Sequence, residues 1–191
     1  MASHSAERHA VPERVFHWVM AVTVIVCLAT AFLPILGVEF AWVDAHWISG
    51  VLLTLSVLFH LWRVFFRLKF SDMWIYRKDL SELRDLFQSS NKDDHTAISK
   101  YDLGQKAYHW ATAALLVALI VSGLLMLVKL DTWFWDRIPS ILSDHSWGVV
   151  YTIHGATALA LIMMFILHLY FSFLPEHRQL LASMLRGGEQ N

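Results

Sequence analysis

Four apolar stretches, each long enough to cross a lipid bilayer, constrain this chain more than any other feature. They cover residues 15–36, 45–66, 107–128 and 147–174. A spanning helix needs about 20 mostly apolar residues, because in hydrocarbon each backbone N–H and C=O must be satisfied within the segment. Pro34 and Gly37 close the first stretch, and Pro175 follows the fourth; such breakers belong at helix ends. None of the four alternates with the period of a barrel strand. Ala29-Thr30-Ala31 resembles a cleavage site, but the apolar run continues past it and exceeds a signal-peptide core. The expected fold is an all-α integral membrane protein, a four-transmembrane-helix bundle forming one domain over residues 1–191.

Composition agrees. Of the 191 residues, 57% are hydrophobic and 16% are charged, against about 25% charged in an ordinary soluble domain. With a net charge of −1 there is no basic excess for nucleic acid to recognise. The single cysteine, Cys27, excludes a disulfide framework, a CxxC site and a cysteine-held iron–sulfur cluster within the chain.

Lysine and arginine set the expected orientation. Every one of the 15 except Lys129 and Arg137 falls in the N-terminal tail, the 68–106 loop, the C-terminal tail or the adjoining helix ends. Both termini and that loop are therefore expected on the cytoplasmic side of a bacterial inner membrane. Within the loop, residues 79–87 place Leu80, Leu83, Leu86 and Phe87 on one helical face, the pattern of a short amphipathic helix lying on the lipid surface.

Eleven histidines are unusual in so apolar a chain. An ionisable or metal-binding group at membrane depth is costly and marks function. His154 and His168 stand 14 residues apart in the fourth span, nearly four turns, so they share a face. At 1.5 Å per residue they lie roughly 21 Å apart along the axis, which suits two stacked metal centres and not a single one. A b-type haem takes two axial imidazoles from facing helices. His46, at the start of span two, matches His154 in depth. Three histidines match His168: His17, His60 and His109. His46 and His60 are also 14 apart, so spacing leaves both the 60/168 and the 17/168 pairing open. Taken singly, His60 and His109 read as interfacial or hydrogen-bonded residues. Gly50, Gly123 and Gly155 offer room for a flat macrocycle or for close helix packing.

With these residues in view, the chain resembles the gamma, or cytochrome b, subunit of respiratory formate dehydrogenases, within the bacterial four-helix di-haem cytochromes. The matching elements are Arg14-Val15-Phe16-His17-Trp18, His46-Trp47-Ile48-Ser49-Gly50 with Arg63 beyond it, Tyr101-Asp102-Leu103-Gly104-Gln105-Lys106 before span three, and His154 with His168. The resemblance implies two haem b groups. His17 and His168 would be axial ligands on the cytoplasmic side, and His46 and His154 on the periplasmic side, with His60 as the challenger to His17. It also implies a quinone pocket at Asp102, Gly104 and Gln105. Asp102, where the family often carries Asn, is equally suited to cap the third span.

The function expected from this resemblance is electron transfer from a periplasmic partner to membrane quinone. The partner would comprise an iron–sulfur subunit and a catalytic molybdenum or tungsten subunit, since the chain has ligands for neither. Trp42, Trp133, Trp135 and Trp147 are the expected docking residues; an interfacial aromatic belt is the alternative. A hydrogenase or other oxidoreductase as partner, a stand-alone quinol-oxidising cytochrome, and a haem-free anchor remain open alternatives.

Overall fold

The structure is a computed structural model that describes residues 11–67, 74–76, 103–175 and 178–186. Four long helices dominate: α1 Val11–Phe32, α2 Trp42–Arg67, α3 Leu103–Leu127 and α4 Asp144–Phe173. A 3₁₀ turn at Pro139–Ile141 precedes α4, and a short helix, α5, covers Arg178–Arg186. All four long helices are long and apolar enough to cross a membrane. The expected all-α, four-span architecture is therefore what the chain adopts.

Each helix starts three or four residues before its apolar stretch. The stretch marks where hydrocarbon begins, whereas the helix continues outward on polar residues that solvate in the headgroup region. Thus α1 opens on Val11 with Pro12 and Glu13 in its first turn, residues that suit a helix start by preset φ and by the dipole. It stops at Phe32, not at the expected residue 36, because Pro34 disfavours helical geometry in the residue before it and cannot donate. The chain then turns through Gly37, at φ +88°, with Val38 N–H donating to Leu33 C=O at 3.0 Å. Ser143 caps α4, its hydroxyl accepting from Ser146 N–H at 3.2 Å.

The helices pack as two hairpins. α1 lies along α2, α3 lies along α4, and the hairpins meet chiefly between α2 and α3. The buried apolar core is small: Leu53, Leu116 and Leu161, flanked by Met20, Val24, Val57, Leu115 and Leu119. Large side chains such as Phe65, Met163 and Phe173 point outward. Lipid is as apolar as leucine, so burying them gains little, and helices associate through small and hydroxyl-bearing residues instead. Accordingly Thr23, Thr30, Ser49 and Ser122 are buried. Thr23, Thr30 and Ser122 return their hydroxyls to their own helices, as in Ser122 to Ala118 C=O at 2.6 Å.

The expected amphipathic helix over 79–87 lies outside the described residues. The one described is α5, where Leu181, Met184 and Leu185 recur at helical spacing. It rests on α1 through Trp18, whose indole N–H donates to Met184 C=O at 3.3 Å.

Candidate metal centres

Six half-buried histidines form three facing pairs. His46 of α2 faces His154 of α4, with ring centres 6.3 Å apart and planes at 73°. His17 of α1 faces His168 of α4 at 6.2 Å and 49°. His60 of α2 faces His109 of α3 at 6.5 Å and 63°. Of the two pairings open to His168 on spacing, the structure brings His17 to it and gives His60 a different partner.

The hydrogen bonds around the first pair fix its tautomers. His46 Nδ1 lies close to Cys27 C=O, which can only accept, so that nitrogen carries the proton; the Thr30 hydroxyl donates to Val26 C=O at 2.6 Å, with Cys27 C=O 3.0 Å away. The Thr30 oxygen then accepts from His46 Nδ1 at 2.9 Å, and Cys27 C=O accepts from the same nitrogen at 3.1 Å. His154 repeats the device. Ser122 donates to Ala118 C=O and accepts from His154 Nδ1 at 2.9 Å. Both rings therefore carry the proton on Nδ1 and keep the Nε2 lone pair for a ligand. This is the outer support that metal-bound imidazoles require.

His168 is placed differently. Tyr108 of α3 stacks on it, with centres 5.9 Å apart and planes at 24°, and the phenol donates to Met164 C=O at 3.0 Å. Trp18 meets His17 edge-on at 5.3 Å.

A metal–imidazole bond is about 2 Å, so two in line set axial ring centres roughly 6 Å apart once the ring radii are added. All three pairs meet that distance. The first two also bridge helices that otherwise scarcely touch: α4 packs extensively on α3 and no more than weakly on α1 and α2. A slot between hairpins is what a flat macrocycle needs. The His60–His109 pair instead joins α2 to α3, where the hairpins meet, and the Phe16 ring lies flat on His60 at 4.8 Å and 12°. Among the described residues no three His, Cys, Asp or Glu side chains gather at one point, so axial ligation by two imidazoles is the metal chemistry on offer.

The glycines divide. A Cβ on Gly123 would come 3.3 Å from His154 Cε1, so this glycine makes room for the imidazole itself. A Cβ on Gly50 or Gly155 would meet no atom within 4 Å, so close helix packing does not account for either.

Of the expected quinone residues, Asp102 lies outside the described residues. Gly104 and Gln105 are exposed, but they sit in the first turn of α3 and not in a loop before it. Gln and Lys are good helix formers, and the polar start of the helix projects beyond the apolar stretch. Next to them Lys106 is buried, only 2% exposed, with its ammonium 6.0 Å from the Tyr76 ring centre. At the opposite end of the bundle, Trp133 is 86% exposed, and Trp42 and Trp135 are partly so. Trp147 is not available for docking as expected: it is 2% exposed and donates to Pro139 C=O at 2.9 Å, pinning the α3–α4 connection.

Residue spacing alone did not reveal Thr30, Ser122 or Tyr108 as supports, nor the pairing of His60 with His109. A signal existed for two of them. Hydroxyls deep in apolar runs need partners, and an imidazole on the facing helix is one.

The sequence pattern of the prokaryotic cytochrome b561 family matches residues 8–187. A Haemophilus influenzae protein named formate dehydrogenase, cytochrome b556 subunit, is 24% identical over 179 residues, covering 87% of this chain and 70% of that protein. With four spanning helices and histidine pairs suited to axial ligation, the chain belongs to the prokaryotic cytochrome b561 family, membrane proteins that bind haem b and carry electrons.

Proposed function

We propose that this chain is the di-haem cytochrome b subunit of a formate-dehydrogenase-type complex, passing electrons from a periplasmic partner to membrane quinone. One observation carries the reading: two histidine pairs, 46/154 and 17/168, cross between the hairpins at different depths of the same helix α4. Their spacing along α4 is roughly 21 Å, so one pair serves each half of the membrane. The similarity to a formate dehydrogenase cytochrome subunit supports this choice of complex.

When bound, the haems supply two one-electron centres whose potentials follow axial ligation and burial. The protein supplies the rest. His46 and His154 are held as Nδ1–H tautomers by Thr30, Cys27 and Ser122. Tyr108 lies against one face of the His168 ring. Asp102, Gly104 and Gln105 would form the quinone headgroup site at the start of α3, on the cytoplasmic side. The exposed Trp133, Trp42 and Trp135 belong to the opposite face, which would receive the iron–sulfur subunit of a molybdenum or tungsten enzyme.

Co-purification tests the choice of complex. The chain, affinity-tagged and extracted from its own membrane in mild detergent, should bring down an iron–sulfur protein and a formate-oxidising subunit, with formate reducing the bound haem. A partner that oxidises hydrogen instead would transfer the same wiring to a hydrogenase. Haem-loaded chain that purifies alone and is reduced by quinol would favour a self-sufficient cytochrome.

A further inference from the structure

The His60–His109 pair has no part in the proposed haem ligation, yet it is built like a site. Both imidazoles are half-buried. His60 lies seven residues inside the α2 end at Arg67, and His109 six residues inside the α3 start at Leu103, depths of roughly 10 Å each. Among the described residues neither ring has a hydrogen-bond partner, in contrast to His46 and His154. Two imidazoles in the apolar zone are costly unless they are used.

Their neighbours lie in a line. At the membrane edge Glu13 of α1 pairs with Arg63 of α2 at 3.7 Å. Arg63 stands one turn outward from His60, and Phe16, one turn along α1 from Glu13, covers a face of the His60 ring. His60 faces His109. His109 shares a helical face with Gln105, four residues away. These residues run from the polar edge, through two facing imidazoles, to the helix start proposed for the quinone headgroup.

We propose that His60 and His109 form a two-imidazole proton relay that feeds quinone reduction. The inference rests on the quinone reading above. An imidazole can take a proton at one nitrogen and release one from the other. The 6.5 Å between ring centres is a gap that one water can bridge. Reduction of one quinone to quinol takes up two electrons from the haem side and two protons at its carbonyl oxygens. His109 hands each proton toward the quinone, His60 resupplies His109, and water at the Glu13–Arg63 edge resupplies His60. Among the described residues, the other charged or titratable groups of this end of the bundle are Arg14 and His17 of α1, Arg67 of α2, Tyr76 ahead of α3, Lys106 and Tyr108 of α3, His168 and Tyr170 of α4, and Arg178 and Arg186 of α5. Tyr108 is turned onto His168.

The test follows haem reduction by a short-chain ubiquinol or menaquinol analogue in the purified haem-loaded protein, by stopped-flow absorption across pH 6–9. His60→Phe, His109→Phe, the milder His60→Gln and His109→Gln, and the double variant are compared with wild type. The relay requires each variant to keep the wild-type haem content and spectrum. Quinol-driven reduction should slow at least about tenfold, with an altered pH profile and a larger solvent isotope effect. The double variant should be no slower than the worse single one, because the two groups act in series. Haem-loaded variants that match wild type at every pH overturn the relay and leave the quinone site standing. Loss of a haem in the His60 variants also overturns it, by making His60 a ligand. Wild-type protein that holds its haem but is not reduced by either quinol overturns the quinone reading and the relay together.

Discussion

Ser122 Oγ of α3 lies 2.9 Å from His154 Nδ1 of α4, with its own proton committed to Ala118 C=O 2.6 Å away. That geometry decides which imidazole nitrogen is available for a metal. It also ties the second hairpin together at the depth where His154 of α4 faces His46 of α2.

Ser122→Ala removes the hydroxyl that accepts from His154 Nδ1 and leaves it only the Leu119 carbonyl. Loss of such an outer partner costs on the order of 10- to 100-fold in metal affinity. Haem retention during purification should fall at the 46/154 site alone, read as one haem titrating out more readily than the other. Thr30→Val should act in the same way on His46, whose Nδ1 would keep only the Cys27 carbonyl, 3.1 Å away.

Gly123 tests the space around the same ring. With a Cβ set to arrive 3.3 Å from His154 Cε1, Gly123→Ala should shift the imidazole slightly and leave haem bound, with a small change in the reduced absorption band. Gly123→Leu should displace the ring and empty the site. Gly155→Ala, whose Cβ meets no protein atom, is the discriminating control. An effect on haem there would mean that the macrocycle itself lies over Gly155.

Gln105→Ala should slow quinone reduction by about tenfold while both haem spectra persist, since a lost headgroup hydrogen bond is worth on the order of 1 kcal/mol. An unchanged rate would move the quinone site away from the start of α3.

The architecture was legible because the bilayer makes a strong demand on sequence. Four long apolar runs admit little else, and the four spans fall where hydropathy puts them. Helix ends were not legible from apolarity. Gly104, Gln105 and Lys106 read as a loop yet form the first turn of α3, since helical hydrogen bonding does not stop where hydrocarbon stops. Histidine depth was legible from spacing, so the six histidines of the three pairs were all identified as lying in or beside the spans. Azimuth was not: whether His168 meets His17 or His60 depends on how the hairpins dock, and the 14-residue spacing is silent on that. Trp147 shows the same limit, because a tryptophan at a span edge looks like an interfacial anchor until its indole is seen bound to Pro139 C=O.

The central claim is that His46/His154 and His17/His168 each hold one haem, and haem stoichiometry tests it most directly. Haem b per chain should be counted by absorption in wild type, His17→Ala, His46→Ala and His60→Ala. The account predicts two haems in wild type, one in His17→Ala, one in His46→Ala and two in His60→Ala. Two haems retained in His17→Ala with one lost in His60→Ala would contradict it, as would a wild-type chain that binds none.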